Sequence, residues 1–202
     1  MAALQTPTTG PEEAVLQAVG EADAVVKFNK RLLLIPLIVL ALFAITYILA
    51  WWNASRLTSR FLEDANVSYE GGEYLDALVG GQEFNPQTNR YNKIGGYLDI
   101  EKMWSNRYSS PVPAAVEQAK ERSNEIIYQH LTMSQAEQYI RANIGRSAPY
   151  FGEIYVRLGE LYEQDGDPDS AREIYEDIPS LFPNRPDLIE QAEVHLRRLD
   201  DS

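Results

Sequence analysis

Apolar positions follow three regimes along the chain. After a polar leader (residues 1–11), Val15, Ala18, Val19, Ala22, Val25 and Val26 recur at helical intervals, with Glu12, Glu13, Glu21 and Asp23 elsewhere. That spacing predicts a short amphipathic helix. Residues 32–52 (LLLIPLIVLALFAITYILAWW) then run for 21 positions without a charge. From residue 53 onward the apolar residues return in short helical stretches, punctuated by Gly, Pro and Asn.

The second regime predicts a membrane-spanning helix. At 1.5 Å rise per residue it reaches roughly 31 Å, about the thickness of a bilayer's hydrocarbon core. Its Leu, Ile, Val and Phe residues number 13 and favour insertion by about 4–8 kcal/mol. A cleaved export signal fits less well, since its apolar region spans only about 7–15 residues. Pro36 is expected near the first turn, where a missing N–H is tolerated. Lys30 and Arg31 mark one membrane interface; Trp51 and Trp52, with Tyr47, mark the other. The domain organisation expected is therefore a tail at 1–31, a transmembrane helix at 32–52 and a soluble domain at 53–202.

Charge sharpens this division. The chain carries 18 Lys and Arg against 30 Asp and Glu, a net charge of −12. Beyond Trp52, 15 basic residues face 26 acidic ones, a net of −11. Nucleic acid is not expected as a partner, because phosphate neutralisation needs clustered basic residues. Lys27, Lys30 and Arg31 outnumber Arg56 and Arg60 across the span, which favours a cytoplasmic N-terminus and an acidic domain outside. The bilayer itself is one expected partner. Cysteine is absent, so disulfides, thiolate metal sites and a cysteine nucleophile are ruled out.

In the soluble part, Tyr155, Leu158, Gly159 and Tyr162 share one face of a predicted helix. Ala171, Ile174, Tyr175 and Ile178 share a face of the next. Gly159 and Ala171 are small enough to let two antiparallel helices approach closely. Asp167 is placed to cap the second helix with Pro168 at its first position, and Pro183 to end it. These residues, Tyr155, Leu158, Gly159, Tyr162, Ala171, Tyr175 and Pro183, resemble the tetratricopeptide repeat family, with Ile178 in place of its usual small residue. A fainter match covers residues 60–78 through Phe61, Ala65, Gly72, Tyr74 and Ala77, with Tyr69 one place off register. The resemblance implies an all-α solenoid of helical hairpins that binds other proteins.

Residues 112–146 predict a further helix pair, with Ala115, Val116, Ala119, Ile126 and Ile127 inward and Ser134 capping the second helix. A last helix, from about Asp187 to Leu199, is expected to cover the end of the array through Leu188, Ala192, Leu196 and Leu199. Residues 79–111 fit no repeat. Their Gly, Pro and Asn predict loops and turns, yet the stretch holds many large apolar residues. These complete the core, or else Tyr97, Trp104 and Tyr108 anchor a partner as interface aromatics do.

Candidate chemistry is sparse. His130 and His195 stand 65 residues apart near helix ends and read as surface or capping residues. No glycine-rich phosphate loop follows a predicted strand, and no His-Glu spacing suits a metal. Asp165, Asp167, Asp169, Glu173 and Glu176 copy the ligand spacing of a calcium loop, but Ser170 stands where that loop needs glycine. The competing demand of a repeat helix on the same residues favours a capping turn. Asn53 and Asn66 sit in glycosylation-type tripeptides to which no role is assigned. No catalytic residue, cofactor, metal or small-molecule substrate is expected.

What remains is a single-pass scaffold in a bacterial inner membrane, its outer domain and span binding other membrane-complex subunits. Ala41, Ala44 and Thr46 offer a small-residue patch on the span for close helix contact. The layout is similar to accessory subunits of respiratory and photosynthetic electron-transfer assemblies such as alternative complex III. It is also similar to the ancillary translocon proteins of proteobacteria, which implies a periplasmic chaperone helper as the alternative.

Overall fold

The computed structural model describes the backbone of residues 11–201 and the side chains of residues 34–201. The chain divides into two compact units, residues 1–53 and 54–202. Helix α1 (Pro11–Glu70) starts in the first and ends in the second. Lys30, Arg31 and the apolar face expected at 15–26 lie outside the described side chains.

In the first unit, the window of highest hydropathy along α1 averages 2.5, and none of it is buried. Phe43 is 72% exposed and Leu40 65%. A core helix of a water-soluble fold would bury such residues; this one is long and apolar enough to cross a membrane. Trp52 is exposed and Trp51 partly covered. Pro36 sits inside the helix rather than in its first turn, because the helix begins 25 residues before it and not at Leu32. Thr46 Oγ1 donates back to the Leu42 carbonyl at 2.8 Å, so its hydroxyl is satisfied within the helix.

The second unit is mostly helical and departs from the all-α expectation in one place. After α1 come α2 (Tyr74–Val79), β1 (Gly81–Asn85), β2 (Arg90–Ile94) and α3 (Tyr97–Met103). The strands form an antiparallel hairpin that pairs Gly81 with Ile94 and Phe84 with Tyr91. Its residues are largely exposed on both faces. No alternation of buried and exposed positions therefore announced it in the sequence. Its turn is shaped by Asn85, whose side chain accepts the backbone N–H of Gln87 and Thr88, and by Asn89 at φ 50°.

The hairpin base is held by close backbone approach. Gly80 adopts φ 73°, and a Cβ on Gly96 would stand 2.2 Å from the Gly80 nitrogen. A Cβ on Gly95 would overlap the Phe61 ring. Gly95 N–H donates to Asp64 Oδ2 at 3.0 Å and Tyr97 Oη to Asn66 Oδ1 at 2.7 Å, binding this segment to the end of α1.

Next follow α4 (Ala114–Glu125), a single π-helical turn (Ile126–His130), α5 (Met133–Asn143), α6 (Phe151–Asp165), α7 (Pro168–Leu181) and α8 (Pro186–Asp200). Thr132, not Ser134, caps α5: its hydroxyl accepts the Gln135 N–H, and the Gln135 side chain returns to Thr132 N–H. Asp167 caps α7, accepting from Ser170 N–H at 3.1 Å, with Pro168 at the first position.

The α6–α7–α8 end is an apolar seam. Tyr175, Ile178, Ala171, Leu188 and Ala192 are buried together, with Leu196 and Leu199 packed against them. The ring edge of Tyr175 fills the space beside Gly159, where a Cβ would come within 2.5 Å. Helix α2 has only six residues, with Leu75, Ala77 and Leu78 buried.

Candidate interaction surfaces

Of the three aromatics weighed as core or partner anchors, two belong to the interior. Tyr97 is fully buried and Trp104 nearly so. Trp104 Nε1 donates to Thr58 Oγ1 at 2.7 Å. Their apolar area is already removed from water within the second unit, which favours the core reading for these two. Tyr108 is 73% exposed, with the Arg107 guanidinium 4.8 Å from its ring centre. Phe84 and Tyr91 form an exposed aromatic pair across the hairpin, 5.2 Å between ring centres.

The two histidines are not simple surface residues. Each stacks on a tyrosine within a Tyr–Glu–His–Arg cluster that ties separate helices together. In the first cluster, Tyr69 Oη donates to Glu125 Oε1 at 2.8 Å and lies 3.3 Å from His130 Nε2. Arg122 bonds the other Glu125 oxygen at 2.7 Å, and Tyr74 stacks on His130 at 4.3 Å. In the second, Tyr175 Oη donates to Glu163 Oε1 at 2.6 Å, His195 Nδ1 lies 2.6 Å from the same oxygen, and Arg198 donates to Glu163 Oε2 at 2.6 Å. Tyr175 and His195 stack at 4.7 Å.

These arrangements settle protonation in the direction of structure. Burial would raise the Glu163 carboxyl, but hydrogen bonds from Tyr175, His195 and Arg198 outweigh it and hold it below the usual carboxylate range. The hydrogen bonds of Tyr69 and Arg122 likewise lower Glu125. Burial, then the bond to Glu163, pushes the Tyr175 phenol far up. Both tyrosines therefore stay neutral donors to charged carboxylates, a pairing suited to fastening helices. Only tertiary contact reveals it: Tyr69 and Glu125 lie 56 residues apart, Glu163 and His195 32.

Among the described residues, no group of His, Asp or Glu is arranged to hold a metal ion. The acidic run at Asp165–Glu176 is divided as the capping reading expects: Asp167 turns to Ser170, and Glu173 and Glu176 lie along α7.

A further surface had no forecast. Between α5, α6 and α7 runs an open groove of about 510 Å³. Ile140 and Ile144 form one wall, Tyr155 and Leu158 the floor, Ile174 and Leu181 the other wall. Ile144 is 66% exposed and Leu181 50%. The rims differ in charge. On α5, Glu137 accepts from Arg141 at 3.2 Å and from Tyr162 Oη at 2.8 Å, so its charge is balanced locally. On α7, Asp177 lines the groove and Glu173 stands exposed one turn before it, outside the lining itself; neither is in an ion pair among the described residues. Tyr155 Oη donates to Asp177 Oδ2 at 3.4 Å, which sets that carboxylate over the groove floor; burial, then the charge of Asp177, raises the Tyr155 phenol to about 12.

Comparison with protein families, with curated proteins and with solved structures returned no significant match.

Proposed function

We propose that this chain is a membrane-anchored, non-catalytic scaffold: an accessory subunit that joins a multi-subunit bacterial membrane complex through its helical domain and its span. The observation that carries this reading is the pairing, in one chain, of an apolar helical stretch with no residue buried in its most hydrophobic window and a helical domain that leaves an apolar groove open. Exposed apolar surface on that scale requires a lipid or protein environment. The seam of α6 and α7, with Gly159 against Tyr175, supports a tetratricopeptide-like hairpin, and α8 then acts as its terminal cap. An extracytoplasmic position for the acidic domain follows from the three-to-two excess of basic residues before the span.

The test is purification of the full chain from its native membranes in mild detergent, with mass spectrometry of the product. A fixed set of companion subunits at constant ratio is expected. Recovery of the chain alone, or crosslinking to many newly exported polypeptides instead of a fixed set, would reject the accessory-subunit reading.

A further inference from the structure

The groove between α5, α6 and α7 is an apolar trough with one neutral and one acidic rim, and that asymmetry narrows what fits it. We infer that it receives an amphipathic helix of a partner polypeptide whose apolar face carries branched side chains and whose flank carries Lys or Arg. This rests on the scaffold reading above and names the surface and the chemistry of the partner.

Charge decides among the possible occupants. The apolar walls set by Ile144 and Leu181 are half or more exposed, so covering them removes apolar area from water whatever the occupant. A second copy of this chain would bring another domain with a net charge of −11, and like charges across an interface oppose association. Anionic lipid meets the same repulsion from Glu173 and Asp177. A basic amphipathic helix satisfies both features: its apolar positions at i, i+3, i+4 and i+7 enter the trough, and its basic edge neutralises the α7 rim. The α5 rim adds no opposing demand, because Glu137 and Arg141 are already paired.

The probe is a labelled 15-residue peptide with Leu at helical spacing and Lys elsewhere, compared with the same design carrying Glu for Lys. Anisotropy is read on the full chain in phosphatidylcholine nanodiscs, with empty nanodiscs subtracted. The Lys peptide is expected to bind at least tenfold more tightly than the Glu peptide. The exposed-site double variant Ile144→Asp with Leu181→Asp should lose at least tenfold in affinity for the Lys peptide. Glu173→Lys with Asp177→Lys should reverse the preference, whereas Glu190→Lys with Glu193→Lys on α8 should leave it unchanged. Unaltered circular dichroism melting confirms that each variant is folded. Equal binding of the two peptides, or indifference to the groove variants, would overturn the inference. So would a dimer in sedimentation that Ile144→Asp converts to monomer. If the companions still copurify with the groove double variant, the scaffold reading stands and this groove is not its contact.

Discussion

The two ends of the folded unit are held together by different physics. At α6–α8, periodic apolar side chains meet along a seam, and one small residue, Gly159, admits the Tyr175 ring. Around residues 61–104, closeness is a backbone matter: Gly80, Gly95 and Gly96 let main chain lie against main chain and against Phe61. Polar ties from Asp64 and Asn66 then fasten the segment. The first end relies on area and volume; the second relies on the absence of side chains. Seams of side chains adjust by rotamer changes, while backbone contacts have little freedom to give.

The largest effect is expected where the apolar seam is emptied. Tyr175→Ala removes a fully buried ring and should lower stability by about 3–5 kcal/mol, read as a shift of the urea midpoint followed by circular dichroism. A loss under about 1 kcal/mol would mean that the seam does not depend on side-chain filling. Adding a single methyl tests the contrast directly. Gly96→Ala meets the Gly80 nitrogen at 2.2 Å, whereas Gly159→Ala meets the Tyr175 ring at 2.5 Å. The first should cost about 3 kcal/mol and the second about 1–2 kcal/mol; the reverse order would break the distinction between the ends.

A smaller effect is expected from pH. Because the Glu163 carboxyl is lowered in the folded state, its contribution is complete above the unfolded carboxylate range and disappears as pH falls through the folded value. The phenols of Tyr97 and Tyr155, raised by burial to about 12, act oppositely: their contribution is full below about pH 10 and is lost as pH climbs toward 12. Thermal melts across pH should show both arms, and Glu163→Gln should reduce the acid arm and, by removing the bond that raises Tyr175, trim the alkaline arm as well. The smallest effect belongs to Tyr108→Ala, which should change stability by less than about 0.5 kcal/mol, since the ring is mostly exposed. A larger loss would place Tyr108 in the fold.

The contrast also explains which elements were legible. Helices α6, α7 and α8 follow from spacing and caps, with Asp167 and Pro168 starting α7 as expected. The hairpin at Gly81–Ile94 had no such signal, because exposed strands carry no alternation, and glycines there read equally well as loops. Tyr97 and Trp104 looked alike to Tyr108 in sequence. Residues 58–66 of α1 decided that the first two lie inside.

By itself the sequence determined the 21-residue apolar run, the acidic balance beyond it and the helical character of most of the second unit. Those are properties of near neighbours and of sums, which need no knowledge of what packs where. Tertiary structure alone decided the hairpin base, the two Tyr–Glu–His–Arg ties and the asymmetric groove. Each depends on residues 12 to 61 positions apart meeting within a few ångströms, and local spacing carries no record of such encounters.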